Sequence, residues 1–171
     1  GKVTPAPAGG ESWSQYRSNA LRSGIAKTVL PGKLKSGWTA KLGGVLSQAV
    51  IGGGKVLLAS VDAGKVYALD ETTGKIAWQY AAGGRVDSPP AIYKSMAIFG
   101  SADGWVYCLR LSDGALVWKF LAARADVKAV AMEQVESLWP VHGSVMILND
   151  IAYFGAGRST WIDSGIDMYG L

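Results

Sequence analysis

Short runs of alternating apolar and polar residues, separated by glycine-containing turns, fill much of the chain from residue 47 onward. The clearest unit has four runs, with turns at 52–54, 62–64 and 71–74. Its runs are Ser47–Ile51, Lys55–Ser60, Lys65–Asp70 and Lys75–Tyr80. A period of two residues is typical of strands that bury one face, and glycine permits the tight reversals between antiparallel neighbours. The pattern predicts a unit of four short antiparallel strands.

The same unit recurs along the chain. Trp38, Trp78 and Trp118 are spaced by 40 residues. The flanking sequences agree with this spacing, because Gly64–Leu69 aligns with Gly104–Leu109. Repeats of this length indicate stacked or radially arranged structural units.

The repeat also predicts the fold class. A third, partial copy begins near Gly143, and in it residues 152–155 match residues 97–100. A four-stranded antiparallel unit that repeats about every 40 residues is typical of a β-propeller blade. We therefore predict an all-β chain, a β-propeller of four-stranded antiparallel blades with about three blades present. Trp38, Trp78 and Trp118 fall on the fourth strands and are expected to pack as structural residues between blades.

The blade count predicts an incomplete ring. Residues 1–34 are interpreted as a linker and N-terminal leader, and residues 35–171 as a partial propeller. The partial propeller divides into a fourth strand at 35–42, blades at 45–82 and 86–120, and an incomplete blade at 141–171. Propeller rings close with about four to eight blades. Two interpretations stay open: the chain is part of a longer, truncated propeller, which the sequence at its end favours, or identical chains exchange strands to close the ring. The expected partners are accordingly the remaining blades or identical chains.

Two motifs resemble a known family. Residues 68–78, Ala-Leu-Asp-Glu-Thr-Thr-Gly-Lys-Ile-Ala-Trp, are similar to the PQQ-type propeller repeat, and Trp13 to Arg17 resemble the leader that often precedes such propellers. The family includes quinoprotein alcohol dehydrogenases, BamB-like outer-membrane assembly lipoproteins and binding propellers. The resemblance implies the wider WD40/YVTN-like superfamily, although no Trp-Asp or kelch signature recurs at the blade period. It also implies a periplasmic or exported protein.

Composition excludes several classes of function. The net charge is +4 with 17 Lys and Arg, but no basic run is interleaved with aromatic residues, so we expect no nucleic-acid partner. The apolar runs are too short for a membrane span. Cys108 is the single cysteine, which excludes an internal disulfide and a multi-cysteine metal site.

The third copy carries the candidate binding residues. It departs from the repeat in a long loop at 124–139 and in an insertion around 158–163, and both are expected on the same rim. Function is often placed on such loops. The predicted ligand-binding residues are His142, Arg158, Asp163, Glu133, Glu136 and Trp161. A structural alternative for His142 is a strand-end residue held by backbone hydrogen bonds. Residues 126–137 are predicted to form a short helix or an irregular loop.

Two functions remain open from the sequence. The favoured one is a non-catalytic binding or scaffold domain that recognises a protein or small-molecule ligand through its rim loops. The alternative is a fragment of a PQQ-dependent dehydrogenase, with PQQ and calcium as cofactors. Such dehydrogenases usually have adjacent cysteines against the quinone, whereas Cys108 stands alone, so neither cofactor is assigned. No Ser/His/Asp spacing or nucleophile elbow is present, and no catalytic or metal-ligating residue is predicted.

Overall fold

All regular elements in the described part of the chain are β-strands. The structure, a computed structural model, describes residues 12–26, 28–131 and 133–171. Residues 1–11 of the predicted linker and leader at 1–34 lie outside the described residues. The first blade contains β1 (Val50–Gly52), β2 (Lys55–Ser60), β3 (Lys65–Asp70) and β4 (Ile76–Ala81). The second contains β5 (Ala91–Tyr93), β6 (Met96–Gly100), β7 (Trp105–Arg110) and β8 (Leu116–Leu121). A hairpin follows, β9 (Lys128–Ala131) and β10 (Gln134–Ser137), and then a third sheet of β11 (Met146–Leu148), β12 (Ile151–Ala156) and β13 (Asp167–Gly170).

The sheets are open and antiparallel, in sequential order, which confirms the predicted all-β, propeller-type fold class. The first two blades share one register. Ala68 pairs with Trp78 and Cys108 pairs with Trp118, and in each blade the register shifts directly after the small residue. This shift is a β-bulge, which bends the outer strand and increases its twist. The repeated tryptophans thus occupy equivalent positions.

A capped turn joins the third and fourth strands of the first blade. The Asp70 carboxylate accepts hydrogen bonds from the backbone N–H groups of Thr72 and Thr73, and from the Thr73 hydroxyl at 2.8 Å. The bonds from Thr73 hold the pKa of Asp70 below its usual value. Gly74 closes the turn at a φ of 68°, which disfavours any residue with a Cβ.

Aromatic trios join neighbouring blades. The first trio is Tyr80, Phe99 and Tyr107, and the second is Phe120, Phe154 and Tyr169. In each trio the phenylalanine stacks on the tyrosine of its own blade, with ring centroids 5.4 and 5.5 Å apart. The ring from the preceding blade packs against this pair at its edge. Repeated aromatic contacts of this kind fix the angle between blades.

Two segments differ from the predicted elements. Residues 35–42 form no strand, because in this structure they have no partner strands, although Trp38 still packs on the first blade. The segment 126–137, predicted as a short helix or irregular loop, forms the hairpin β9–β10 instead. Its apolar positions were compatible with a helical period, but Glu133 adopts a φ of 60° at the reversal, and one antiparallel ladder of backbone bonds joins the strands on either side of it. Both alternatives of that prediction, the short helix and the irregular loop, are wrong.

The leader crosses the innermost strands of all three sheets. Consecutive leader residues each bond one blade, at 2.9, 2.7 and 2.6 Å. The bonds join Trp13 to Ile51, Ser14 to Ile92 and Gln15 to Ile147. Because strands β1, β5 and β11 are neighbours around the axis, the leader lies along the side of the sheets that faces the propeller axis.

Candidate functional site

Charged side chains from two blades and the hairpin meet at one rim. His142 precedes β11, and Asp87 precedes β5, so both stand where the chain enters an innermost strand. The His142 Nδ1 atom lies 2.6 Å from Asp87 Oδ2, and Arg85 Nε lies 2.9 Å from Asp87 Oδ1. Burial alone would raise the pKa of Asp87, but the hydrogen bond and charge of His142, together with Arg85, hold it below its usual value.

Glu136 extends this cluster into the hairpin. Its side chain is only 4% exposed, and its carboxylate lies 3.6 Å from His142 Nε2 and 3.8 Å from an Arg158 nitrogen. Arg158 also donates a hydrogen bond of 3.0 Å to the Ser137 carbonyl. We call Arg85, Asp87, Glu136, His142 and Arg158 the rim cluster. It connects the second blade, the hairpin and the third sheet.

Three buried atoms of the rim cluster have no hydrogen-bond partner of good geometry among the described residues. They are Arg85 Nε, which is ion-paired with Asp87, Glu136 Oε2 and Arg158 Nε. Buried polar atoms are nearly always hydrogen-bonded, so these are positions where a ligand or water can donate to the carboxylate or accept from the guanidinium. The cluster can therefore bind polar groups of either kind.

A polar cleft of about 270 Å³ opens beside the rim cluster, between the leader and the innermost strands. It is lined by Tyr16, Arg22, Gln48, Asp87, Ser88, Pro89 and Ser144. The Arg22 guanidinium lies over the Tyr16 ring at 5.2 Å from its centroid, a cation–π distance. Asp87 belongs to both the cleft and the rim cluster. A group bound in the cleft would therefore contact the carboxylate that is paired with His142.

The two departures of the third copy lie next to each other, as predicted. Arg124 donates to both carboxylate oxygens of Asp167, at 2.6 and 2.7 Å, and to the Ser164 carbonyl. The Trp139 indole N–H donates to the Asp163 carbonyl at 2.6 Å. Charge-assisted and neutral hydrogen bonds thus hold the long loop and the insertion together.

The predicted binding residues are only partly brought together. Glu136, His142 and Arg158 lie in the rim cluster, whereas Asp163 contributes its backbone carbonyl instead. Glu133 is exposed at the hairpin reversal, and Trp161 is 92% exposed on the insertion. Their role in binding a ligand stays a prediction.

Sequence reasoning missed Arg85, Asp87 and the leader residues of the cleft. Asp87 aligns with His142 in the repeat, and equivalent positions of adjacent blades converge at the axis. The alignment could therefore have predicted that Asp87 lies close to His142. The leader motif included Tyr16, but its position across the blades could not be read from the sequence.

The lowered pKa of Asp87 predicts an acid-dependent loss of stability. Because the folded state holds this pKa below the unfolded value of about 3.9, ionised Asp87 stabilises the fold above that pH, and the stabilisation is lost as the pH falls through the folded pKa. We expect Asp87→Asn to lose less stability than the wild type between pH 7 and pH 3, measured by urea unfolding. Asp126→Asn, at an exposed carboxylate, should behave like the wild type. An unchanged acid response in Asp87→Asn would contradict the assignment.

Comparison with known proteins places the chain in a family. A model of the family described as outer membrane protein assembly factor BamB matches residues 3–162. The chain belongs to this family. The BamB protein of Moranella endobia (strain PCIT) is 28% identical over 117 residues, covering 68% of this chain and 26% of its own length. The chain therefore spans about a quarter of that relative.

Solved structures agree with the fold of the BamB family. The crystal structure of BamB from Moraxella catarrhalis matches with a TM-score of 0.56 and 24% identity, over 79% of this chain and 36% of that one. A europium-containing methanol dehydrogenase matches with a TM-score of 0.68 and 17% identity, over 86% of this chain and 27% of that one. The resemblance to PQQ-type propellers is confirmed at the level of fold.

The described residues do not fit a quinone and metal site. Cys108 is fully buried on β7 opposite Trp118, and burial raises the pKa of its thiol to about 12. Residues 12–26, 28–131 and 133–171 contain no group of three or more His, Cys, Asp or Glu placed to hold a metal ion. We therefore assign no cofactor-binding role to these residues of the BamB-family chain.

No helix in the described part of the chain is long and apolar enough to cross a membrane.

Proposed function

We propose that the chain is part of a non-catalytic binding propeller whose third-blade rim recognises an extended segment of another protein. This proposal rests on the hairpin β9–β10, which exposes apolar side chains and buries a charged one. Val130 and Val135 are cross-strand partners, and they are 79% and 61% exposed. On the opposite face, Glu136 is buried against the sheets. Contiguous exposed apolar surface marks sites of interaction with other proteins.

The hairpin is held in place by all three blades. Gln134 donates to the Asp62 carbonyl of the first blade at 3.3 Å, and the Ser137 N–H donates to Ala102 of the second at 2.8 Å. Arg158 of the third sheet donates to the Ser137 carbonyl. A surface fixed at several points loses little conformational entropy on binding, which favours affinity. The valine pair is thus presented as a pre-organised contact.

The relatives support a protein partner. The family and the Moranella endobia relative carry the name outer membrane protein assembly factor, which describes a role in the assembly of outer membrane proteins. A periplasmic or otherwise exported location is part of the proposal for the same reason. The dehydrogenase alternative is disfavoured by the isolated, buried Cys108.

Site-specific photocrosslinking tests the proposed rim. A photoreactive amino acid is placed at Val130, at Val135, or at the control Ile76, which is 51% exposed on the fourth strand of the first blade. In cells that make the full-length protein, we expect the two hairpin positions to give the same crosslinked protein, identified by mass spectrometry, and Ile76 not to give it. Val130→Asp combined with Val135→Asp should reduce the crosslink from a third rim position, Trp161, at least several-fold. Identical products at all positions, or none at the hairpin, would reject the proposal.

A further inference from the structure

The polar cleft between the leader and the innermost strands contains a cation without a counter-charge. Arg22 lines this cleft, and its guanidinium lies over the Tyr16 ring but makes no ion pair or hydrogen bond with any described residue. Asp87 is the one carboxylate among the lining residues, and it is already paired with Arg85 at 2.9 Å and with His142 at 2.6 Å. The cleft therefore has a positive charge to offer to a ligand.

The leader turn fixes the backbone at Arg22. This residue adopts a φ of 52°, which is uncommon for a residue with a side chain, and its N–H donates to the Asn19 carbonyl at 2.8 Å. Gln15 anchors the turn to the third sheet, because its side-chain amide donates to the Ile147 carbonyl at 3.1 Å and accepts the Ile147 N–H at 2.6 Å. A strained residue persists only where its surroundings determine its conformation. Less freedom is therefore lost when Arg22 binds a ligand than on a mobile chain end.

Two neutral side chains of the cleft are also available as donors. The Gln48 amide and the Ser144 hydroxyl line the cleft, and neither has a hydrogen-bond partner among the described residues. Gln48 lies just before β1 and Ser144 just before β11, so these donors come from the first blade and the third sheet. A guanidinium fork with a hydroxyl and an amide N–H beside it suits the planar pair of oxygens of a carboxylate.

The local charge favours a ligand with a single negative charge. The cleft and the rim cluster together contain three arginines and two carboxylates: Arg22, Arg85, Arg158, Asp87 and Glu136. With a neutral imidazole between them, the arginines exceed the carboxylates by one. A carboxylate ligand balances this excess, whereas a phosphate dianion would leave unbalanced negative charge beside Asp87.

We propose that this cleft is a binding site for a carboxylate group, with Arg22 as the ion-pairing residue and Gln48 and Ser144 as neutral donors. The side chain of a glutamate or aspartate and the C-terminus of a polypeptide both supply such a group. The inference is independent of the proposed rim function, because it uses none of the exposed side chains of the hairpin β9–β10.

Titration with small carboxylates tests the site. The probes are N-acetylglutamate α-amide, its neutral counterpart N-acetylglutamine α-amide, and N-acetylalanine, which carries a chain-end carboxylate. Binding is followed near neutral pH by the NMR chemical shifts of the Ser144 backbone amide and the Gln48 side-chain amide. We expect the glutamate probe to bind about tenfold more tightly than the glutamine probe, because hydrogen bonds to charged groups are stronger than neutral ones. The tighter of the two carboxylate probes identifies the source, a side chain or a chain end.

Two leader arginines provide a matched pair of variants. Arg22→Gln removes the charge from the cleft, and Arg17→Gln is the control, since Arg17 also has a positive φ, 56°, but does not line the cleft. We expect Arg22→Gln to abolish the preference for the charged probe and Arg17→Gln to keep it. The comparison of charged and neutral probes on the wild type needs no substitution, so it decides the question even where a variant unfolds.

Three results would overturn the proposal. The first is equal binding of the charged and neutral probes by the wild type. The second is a preference that survives in Arg22→Gln, or one that is lost equally in Arg17→Gln, which would assign it to the general charge of the leader. The third is tighter binding of inorganic phosphate than of the glutamate probe, since the charge balance at Asp87 and Arg22 disfavours a dianion.

Discussion

Replacing Trp78 with alanine is expected to lower the free energy of unfolding by about 3 to 5 kcal/mol. Trp78 is 7% exposed and packs in the cluster that joins the first two blades. The substitution removes the ring and leaves a cavity that β-sheet neighbours cannot close easily. It also leaves the buried Leu111 carbonyl without the indole N–H that it accepts at 2.8 Å.

Trp161→Ala is the matched control, because the same side chain is 92% exposed there. Its expected effect is within about 0.5 kcal/mol. Both variants are measured by urea unfolding at neutral pH, with the slope compared to confirm that the denatured state is unchanged. Similar losses in the two variants would show that Trp78 does not hold the blades together.

The blade framework was readable from the sequence because each blade repeats its own local chemistry. The bounds of β2 and β3 agree with the predicted runs, since alternating apolar residues and glycine turns specify strands without reference to distant residues. The segment 35–42 was different. It carries the sequence of a fourth strand, but a strand forms only where a neighbouring strand supplies its hydrogen bonds.

The candidate site was less readable because it depends on contacts between blades. His142 was predicted as a ligand-binding residue, but its partner Asp87 is 55 positions away and belongs to another blade. The hairpin β9–β10 was missed for a related reason. A strand usually buries its apolar side chains and exposes its polar ones, but here Glu136 is buried and Val130 is exposed. The spacing of apolar residues therefore predicted the wrong period.

Gly114→Ala is the second substitution with a large expected effect. Gly114 is buried at a φ of 73°, and a Cβ there would lie 2.8 Å from the Trp78 ring. The left-handed backbone alone costs alanine roughly 1 to 2 kcal/mol. Displacement of the packed indole is expected to add about 1 to 3 kcal/mol, because overfilled cores relax only by moving side chains and backbone.

Gly54→Ala separates these two effects. Gly54 has a φ of 72°, nearly the same as Gly114, but it is exposed and a Cβ there meets no atom within 4 Å. The difference in unfolding free energy between the two alanine variants therefore measures the contact with Trp78 and not the backbone conformation. In the Trp78→Ala background that difference should shrink toward zero, because the ring is gone. A difference that persists there would assign the cost of Gly114→Ala to the turn itself.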